Sequence, residues 1–326
     1  MTQPAAPRLP KAQFGEAGWL FLDNDANRSV GQYLGQVRLS PQAAVAWKVY
    51  FDGVLALRDE VGFKFVQLFA PSKEIIYERY YPHRHAASPR RPVHAVIELA
   101  PPGFPICYPW RELIPPDGGL DTYDKGDTHW NPWGAALGTS LALGSIGSEI
   151  RDVARYNFAW ATRSGDLDTK FPGYPVGQRL HRADPPIPNR TVFLSGLTNR
   201  GSLVATETPG APDRTVFVFG DSFSDTMLGV LRENFRRVII AHVHTLDAAL
   251  VRAEQPDVVI AQMVDRFVIK PPSCPDTFRI EDVFREKAAQ LPADEVARLR
   301  KMHEAALGGR DRHFAGLCLD TLPFTG

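Results

Sequence analysis

Hydrophobic positions in the second half of the chain fall into short, nearly continuous runs. These runs lie at 191–194, 203–206, 215–219, 238–243 and 257–262. Each run is typical of a strand that is buried in a sheet, and the residues after several of them repeat at helical spacing. Because strands alternate with helices, the pattern predicts an α/β fold with a mainly parallel sheet and helices on both faces.

The first half of the chain continues this alternation. A capped helix is predicted over 40–62, a strand over 63–69, and a further helix that begins at 72–74. Open α/β sheets bind ligands beside turns at the carboxyl ends of their strands. Lys73 is therefore a candidate for substrate contact, and the alternative is a solvated lysine at a helix start.

Length and composition are those of one enzyme-sized unit. The chain has 326 residues, 44% of them hydrophobic, so it can bury a large core, and we expect a single domain over 1–326. Within this domain we predict a flexible stretch at 1–17. Two loop-rich segments, 82–125 and 160–189, are predicted to be irregular excursions that border the binding face.

Charge and composition argue against several kinds of partner. The chain has 37 basic and 37 acidic residues with no long run of either sign, so nucleic acid is not an expected partner. Its three cysteines are far apart, which predicts free thiols. The pairs His83-x-His85 and His242-x-His244 lack a cysteine or carboxylate at ligand spacing, so no metal site is expected.

The chain shows no targeting or membrane signal. It has no run of about 18 apolar residues, so no transmembrane segment is predicted. Its first ten residues are rich in proline and lack the basic-then-apolar order of a signal peptide. A cytoplasmic location is expected of the chain as written.

The turn after the predicted strand at 215–219 contains a candidate nucleophile. Only Gly220-Asp221-Ser222 separates this strand from a predicted helix. The glycine permits a backbone conformation closed to other residues, so a sharp turn can present Ser222 at the first turn of the helix. Free N–H groups there stabilise an oxyanion. The alternative is that Asp221 and Ser222 only cap the helix.

A second stretch supplies the groups that activate a serine. Asp127 and His129 lie two residues apart, directly before a predicted helix. A serine hydroxyl is a weak nucleophile at neutral pH, so a histidine must accept its proton and a carboxylate must orient the ring. Asp127 and His129 have these side-chain types. The alternative is a helix cap beside a packed histidine.

Five short stretches in a fixed order resemble a known family. They lie at 18–22, 70–74, 127–130, 220–224 and 256–260, the last followed by Asp265-Arg266. Together they resemble the SGNH-hydrolase-like O-acetyltransferases of bacterial exopolysaccharide modification, of the alginate acetyltransferase (DHHW) type. The resemblance implies an SGNH-hydrolase-like fold with a circularly rearranged site order, in which the Asp-x-His element precedes the serine.

The resemblance also implies roles for individual residues. Carried over by position, Ser222 is the nucleophile, His129 the base and Asp127 the carboxylate that orients it. The implied reaction passes an acetyl group through a serine acyl-enzyme to hydroxyls of a carbohydrate, either an exopolysaccharide or another glycan. Two further candidates for substrate contact are Trp130, which adjoins His129, and Arg266, which follows a predicted strand. Their alternatives are packing and a structural ion pair.

Cofactor, partners and location also follow from the resemblance. An acetyl donor is required, and no bound cofactor is expected. The implied partners are the carbohydrate acceptor and a membrane acetyl-export protein or other polysaccharide-assembly proteins. Family members act in the periplasm, so a periplasmic location is the alternative if the chain is trimmed.

Two other functions fit the same residues. An acetyl-carbohydrate esterase uses the same triad with water as the acceptor. A non-catalytic carbohydrate-binding component of a polysaccharide assembly complex needs no triad at all. Loss of acetyl from Ser222 that depends on a carbohydrate distinguishes the transferase from the esterase, and failure to form an acetyl-enzyme indicates the binding protein.

Overall fold

The structure, a computed structural model, describes residues 11–83 and 86–323. The strands of this part of the chain are β1 (Ala12–Phe14), β2 (Leu20–Leu22), β3 (Lys64–Ala70), β4 (Ile106–Cys107), β5 (Phe158–Thr162), β6 (Gln178–Arg182), β7 (Arg190–Leu194), β8 (Leu203–Glu207), β9 (Thr215–Phe219), β10 (Arg237–Ala241) and β11 (Val258–Val264). Its α-helices are α1 (Ser29–Tyr33), α2 (Pro41–Val61), α3 (Lys73–Ile76), α4 (Pro92–Leu99), α5 (Pro132–Ser145), α6 (Phe223–Asn234), α7 (Ala248–Glu254), α8 (Ile280–Ala288), α9 (Ala293–Ala306) and α10 (Arg312–Thr321).

A seven-stranded sheet forms the centre of the molecule. Its strand order is β4-β3-β11-β9-β10-β8-β7. The five strands from β4 to β10 run parallel to their neighbours, whereas β8 and β7 form an antiparallel edge. The predicted α/β fold with a mainly parallel sheet is therefore confirmed. All five apolar runs of the second half form strands, namely β7 to β11.

Helices cover both faces of this sheet because successive strand residues point to opposite sides. On β9, Phe217 and Phe219 pack in the hydrophobic cluster that contains α2, α7 and α8 to α10. Val216 and Val218 pack in the opposite cluster, with α3, α5 and α6. The carboxyl ends of the parallel strands β3, β9, β10 and β11 meet at one end of the sheet, which is where open α/β sheets bind ligands.

Helix α2 has the bounds that its sequence predicts. Ser40 Oγ accepts a hydrogen bond from the N–H of Ala43 at 3.1 Å, and Pro41 occupies the first helical position. The helix ends at Gly62, whose φ of 89° is favourable only for glycine. Like the other helices of residues 11–83 and 86–323, α2 does not combine the length and apolar character needed to cross a bilayer.

Segments that were expected to be irregular contain regular elements. Segment 82–125 contains α4 and β4, and segment 160–189 contributes most of the antiparallel hairpin β5–β6. Of the stretch 1–17, which was expected to be flexible, residues 1–10 lie outside the described part of the chain. The remaining residues include β1, which begins at Ala12. The hairpin was missed because its strands are half exposed and lack a continuous apolar run.

Candidate active site

Ser222 lies at the carboxyl end of β9, in the turn that leads to α6. It occupies the N-cap position of α6, with φ −60° and ψ −15°, but its side chain makes no cap hydrogen bond. Asp221 does so instead. Its Oδ1 accepts the N–H of Phe223 at 2.9 Å and its Oδ2 accepts the N–H of Val264 at 2.8 Å. Asp221 therefore holds the turn, and the Ser222 hydroxyl can bond elsewhere.

Gly220 is needed in this turn for space rather than for an unusual backbone angle. Its φ lies outside the positive range that the sequence analysis expected, so that expectation is corrected. A Cβ at this position would lie 2.6 Å from Gln262 Oε1. The same oxygen accepts the N–H of Asp221 at 3.0 Å. Glycine thus lets β11 approach the turn at 220–222 and hydrogen-bond to it; we call this turn the nucleophile turn, after its candidate nucleophile Ser222.

Ser222, His129 and Asp127 form one continuous hydrogen-bonded chain. His129 Nε2 lies 2.7 Å from Ser222 Oγ, and His129 Nδ1 lies 2.7 Å from Asp127 Oδ1. Asp127 Oδ1 also accepts the backbone N–H of His129 at 2.9 Å. In this arrangement Nδ1–H donates to the carboxylate and Nε2 can accept the serine proton. The structure thus brings together the three residues that sequence analysis placed in a triad.

Burial and charge set the protonation of the His129–Asp127 pair. Burial opposes the imidazolium form of His129, but the hydrogen bond to Asp127 and the charges of Asp127 and Asp166 outweigh it and raise the pKa of His129. Burial also opposes ionisation of Asp127, yet its bonds to His129 and the charge of Arg179 lower the pKa of Asp127. Asp127 is therefore the ionised partner, and His129 is the group that titrates nearer neutrality.

The β5–β6 hairpin and its connecting loop hold the triad carboxylate. Arg179 Nη2 lies 2.9 Å from Asp127 Oδ2, and Arg179 Nε lies 3.3 Å from Asp124 Oδ2. Asp166 accepts hydrogen bonds from the N–H and the hydroxyl of Thr128, each at 2.7 Å. Arg179 and Asp166 were not predicted from the sequence, because no local pattern links an arginine or a loop aspartate to a motif about 40 to 50 residues away.

Lys73 lies beneath the Asp127 loop and does not face a cleft. It is 2% exposed, and its Nζ donates hydrogen bonds to the carbonyls of Asp124, Lys125 and Asp127 at 3.2, 2.9 and 2.7 Å. Burial lowers the pKa of Lys73 to about 7, although nearby carboxylates, Asp127 first, oppose this. The predicted substrate contact is therefore corrected: Lys73 ties α3 to the loop that carries the triad carboxylate.

Trp130 packs under the nucleophile turn. It is 1% exposed, and its indole N–H donates to the carbonyl of Phe223 at 2.9 Å. The indole therefore presents no open face to a sugar, and the predicted substrate contact is corrected. The tryptophan ring instead links the start of α5 to the start of α6 and so fixes the position of His129 relative to the turn at 220–222.

Arg266 lies close to the triad and is half-buried. Its guanidinium carbon is 5.6 Å from the ring centre of Phe223 and 5.2 Å from that of Phe267. Its positive charge opposes protonation of His129. Substrate contact by Arg266 stays a prediction, and its position makes it a cation that favours the neutral form of His129.

A cleft of about 530 Å³ opens at Ser222. His242 and His244 line this cleft, and each lies near a carboxylate that the sequence did not predict as its partner. His242 Nε2 lies 2.9 Å from Asp225 Oδ1, and His244 Nε2 lies 3.5 Å from Asp221 Oδ2. The other walls include Asn199, Arg200, Lys270, Phe267 and Phe278. The cleft is large enough for more than an acetyl group, so it can accept a donor or a sugar unit.

One group of metal-binding side-chain types occurs within the described residues. Ligand atoms of Asp127, His129 and Asp166 lie within 4.8 Å of one another. These atoms are already engaged, because His129 bonds Asp127 and Asp166 bonds Thr128. No metal site was expected at His83-x-His85, and His85 lies outside the described part of the chain. The arrangement serves the triad better than a cation.

Replacing Arg179 by alanine should move the acid limb of the pH–rate profile to higher pH. As the predicted base, His129 has to be neutral, so we expect acyl transfer to be lost as the pH falls through the raised pKa of His129. Without the guanidinium, the Asp127 carboxylate stabilises the imidazolium more strongly, and the limb should shift upward by about 0.5 to 1 pH unit. The measurement is acyl transfer from an activated acetyl ester across pH. The control is Arg163→Ala, which removes an exposed arginine of the same segment. If the acid limb of the Arg179 variant does not move, Arg179 does not influence the pKa of His129 through Asp127.

No protein-family model and no curated protein sequence matches the chain. The following three are among the solved structures that share its fold. PatB1 from Bacillus cereus aligns with a TM-score of 0.60 and 15% identity, over 80% of this chain and 97% of that chain. A DHHW family protein from Eubacterium siraeum aligns with a TM-score of 0.57 and 13% identity, over 80% of this chain and 95% of that chain. The O-acetyltransferase domain of AlgJ from Pseudomonas putida aligns with a TM-score of 0.53 and 16% identity, over 86% of this chain and 100% of that chain.

These neighbours define the class of fold to which the chain belongs. It is an α/β fold that is shared with a DHHW family protein and with an O-acetyltransferase domain. The structural neighbours are therefore of the family that the five sequence stretches resemble, so that resemblance is confirmed at the level of the fold.

Proposed function

We propose that this protein is a serine-dependent O-acetyltransferase that passes an acetyl group through Ser222 to a carbohydrate hydroxyl. The observation that carries the proposal is the hydrogen-bonded chain from Ser222 through His129 to Asp127, with the serine open to a cleft. The fold shared with an O-acetyltransferase domain supports it. The proposal includes a single SGNH-hydrolase-like domain with a circularly rearranged order, in which Asp127 and His129 precede Ser222.

The first half of the reaction loads the serine. His129 Nε2 accepts the Ser222 proton as Oγ attacks the carbonyl carbon of the acetyl donor. The tetrahedral oxyanion forms at the positive end of α6, where the Ser222 N–H has no hydrogen-bond acceptor among the described residues. The neighbouring Phe223 N–H is already taken by Asp221. The imidazolium then protonates the leaving group, and acetyl-Ser222 remains.

The second half of the reaction unloads the serine. A carbohydrate hydroxyl enters the cleft, gives its proton to His129 Nε2 and attacks the acetyl carbonyl. The tetrahedral intermediate collapses to the acetylated sugar, and His129 returns the proton to Ser222 Oγ. Throughout, Asp127 stabilises the imidazolium and holds the ring, because its carboxylate is fixed by Arg179 and by two backbone N–H groups.

The esterase alternative differs only in the acceptor. Ser222 is exposed, so water can reach an acetyl group on this residue. A transferase must therefore bind a sugar where that water would otherwise attack. The non-catalytic alternative does not explain why a serine hydroxyl, an imidazole and a fixed carboxylate are aligned at hydrogen-bond distances.

The acceptor decides between the two enzymes. We expect an activated acetyl ester to add one acetyl group to the intact protein, and we expect an oligosaccharide acceptor to speed its loss and to emerge acetylated. Mass spectrometry of the protein and of the sugar over time measures both events, with Ser222→Ala as the control. Equal rates with and without oligosaccharides of several compositions, with free acetate as the only product, favour the esterase. Failure of Ser222 to take up acetyl at all contradicts both.

A further inference from the structure

A second groove, of about 610 Å³, lies between the β5–β6 hairpin and the loop that leads to Asp127. We refer to it as the hairpin groove, and its principal lining residues are Trp160, Tyr174, Val176, Gln178, Asp121 and Lys125. Neither the triad nor the residues of the catalytic cleft line it. It is therefore a separate concave site, and the proposed reaction does not account for it.

The groove presents large apolar side chains to solvent. Trp160 is 47% exposed and Val176 is 51% exposed. No aromatic ring among the described residues stacks on Trp160, whereas Trp19, Trp47 and Trp130 are all buried. An open tryptophan face beside a second exposed apolar residue is typical of a binding surface rather than of a packed core.

Fixed polar groups border these apolar side chains. Asp121 Oδ1 accepts a hydrogen bond from the Tyr77 hydroxyl at 3.1 Å, and Lys125 Nζ donates to the carbonyl of Ala17 at 2.8 Å. The Gln178 amide donates to Thr162 at 2.7 Å, which leaves its carbonyl oxygen for another donor. Each group is held in place by one internal bond and keeps further hydrogen-bonding capacity for a ligand.

The charge of the groove restricts the ligand. Two carboxylates, Asp121 and Asp168, and one ammonium, Lys125, contribute to its lining. This balance disfavours polyanions such as phosphates and polyuronates, and the polar border does not suit a purely apolar ligand. A neutral molecule with an apolar face and many hydroxyl groups satisfies both parts of the lining.

We propose that the hairpin groove binds a neutral pyranose unit of a carbohydrate chain. The axial C–H face of the sugar ring stacks on Trp160, and the ring hydroxyls bond Asp121, Lys125 and Gln178. A β-linked gluco-configured ring suits the site, because both of its faces present axial C–H groups. The proposal does not depend on the catalytic role of Ser222.

The groove adjoins the elements that hold the triad carboxylate. Gln178 lines the groove, and the next residue of β6, Arg179, reaches Asp127 on the other face of the hairpin. Gly126 also lines the groove and directly precedes Asp127. A carbohydrate chain held here lies beside the catalytic loop. Binding at this site therefore raises the local concentration of carbohydrate hydroxyls near the triad.

Calorimetric titration of cellohexaose into the Ser222→Ala protein tests the proposal without any acyl chemistry. We expect saturable binding, weakened at least roughly tenfold by Trp160→Ala, because the aromatic face supplies most of the apolar contact. Gly177→Leu should block the groove while Trp160 is kept, since a Cβ there meets only Asp168 Oδ2, at an ordinary 3.7 Å. Trp110→Ala, outside the groove, should bind normally, and thermal melts confirm that each variant is folded.

Three results overturn the proposal. One is that the protein binds neither cellohexaose nor chitohexaose. Another is that Trp160→Ala and Gly177→Leu, both folded, bind as tightly as the parent. The third is that hexagalacturonate binds as tightly as cellohexaose and is equally sensitive to Trp160→Ala, which shows that the groove does not select neutral sugars. Because the titration uses a protein without the candidate nucleophile, failure here is distinct from failure of the acetyl-transfer proposal.

Discussion

Replacing Ser222 by alanine, or His129 by alanine, is expected to lower acetyl transfer by roughly 10⁴- to 10⁶-fold. Ser222 Oγ and His129 Nε2 lie 2.7 Å apart, so loss of either group removes the activated nucleophile. The double variant should lose little more than either single variant, because nucleophile and base act as one unit. Initial rates of transfer from an activated acetyl ester to an oligosaccharide measure all three losses.

Two residues of the same side-chain types serve as matched controls for these variants. Ser224 Oγ donates to the carbonyl of Asp221 at 2.6 Å, so Ser224→Ala removes a nearby hydroxyl that has a different partner. His181→Ala removes an exposed imidazole. Both controls should stay within a few-fold of the parent rate. If the losses at Ser222 and His129 multiply in the double variant, the two residues act independently, and the triad assignment is wrong.

Replacing Asp127 by asparagine should lower the rate by roughly 10³- to 10⁴-fold and leave measurable activity. The carboxylate accepts the Nδ1–H of His129 at 2.7 Å, whereas an amide NH₂ group can donate to Nδ1 and favour the other tautomer. Nε2 then carries a proton and cannot accept one from Ser222. The Ser222 hydroxyl and the Ser222 N–H that is proposed to bind the oxyanion remain, which accounts for the residual rate.

Steady-state kinetics of Asp127→Asn, with Asp117→Asn as the control, test this expectation. The Asp117 side chain is fully exposed on the connection before the triad loop, so its change should be silent. A parent-like rate in Asp127→Asn shows that the carboxylate is not needed to orient His129. If burst formation of acetyl-Ser222 is unaffected and only later turnover slows, the carboxylate acts on the second half of the reaction alone.

The strands of the central sheet could be predicted because each is a local property of the chain. Residues 216–219 are buried on both faces, so they form a continuous apolar run that can be recognised without knowledge of the neighbouring strands. The β5–β6 hairpin could not be predicted in the same way. Its strands are partly exposed, and its stability comes from contacts with a loop that is distant in sequence.

The candidate triad could be proposed from sequence, but its surroundings could not. Asp127, His129 and Ser222 occur in short motifs with recognisable side-chain types. Arg179 and Asp166 carry no motif, and they become part of the site only because the hairpin segment packs against the triad loop. Lys73 illustrates the reverse case, since a lysine in a predicted strand-to-helix turn proved to be buried beneath that loop.

The sequence by itself determined the α/β alternation, the caps of α2 and the candidate residues Ser222, His129 and Asp127, because periodicity, capping and motif chemistry are written within a few consecutive residues. Only the tertiary structure decided which side chains face solvent and which groups meet across the chain. Trp130 and Trp160 are chemically identical, yet one is 1% and the other 47% exposed. Burial depends on how distant elements pack, and so the same residue type supports the core in one place and opens a groove in the other.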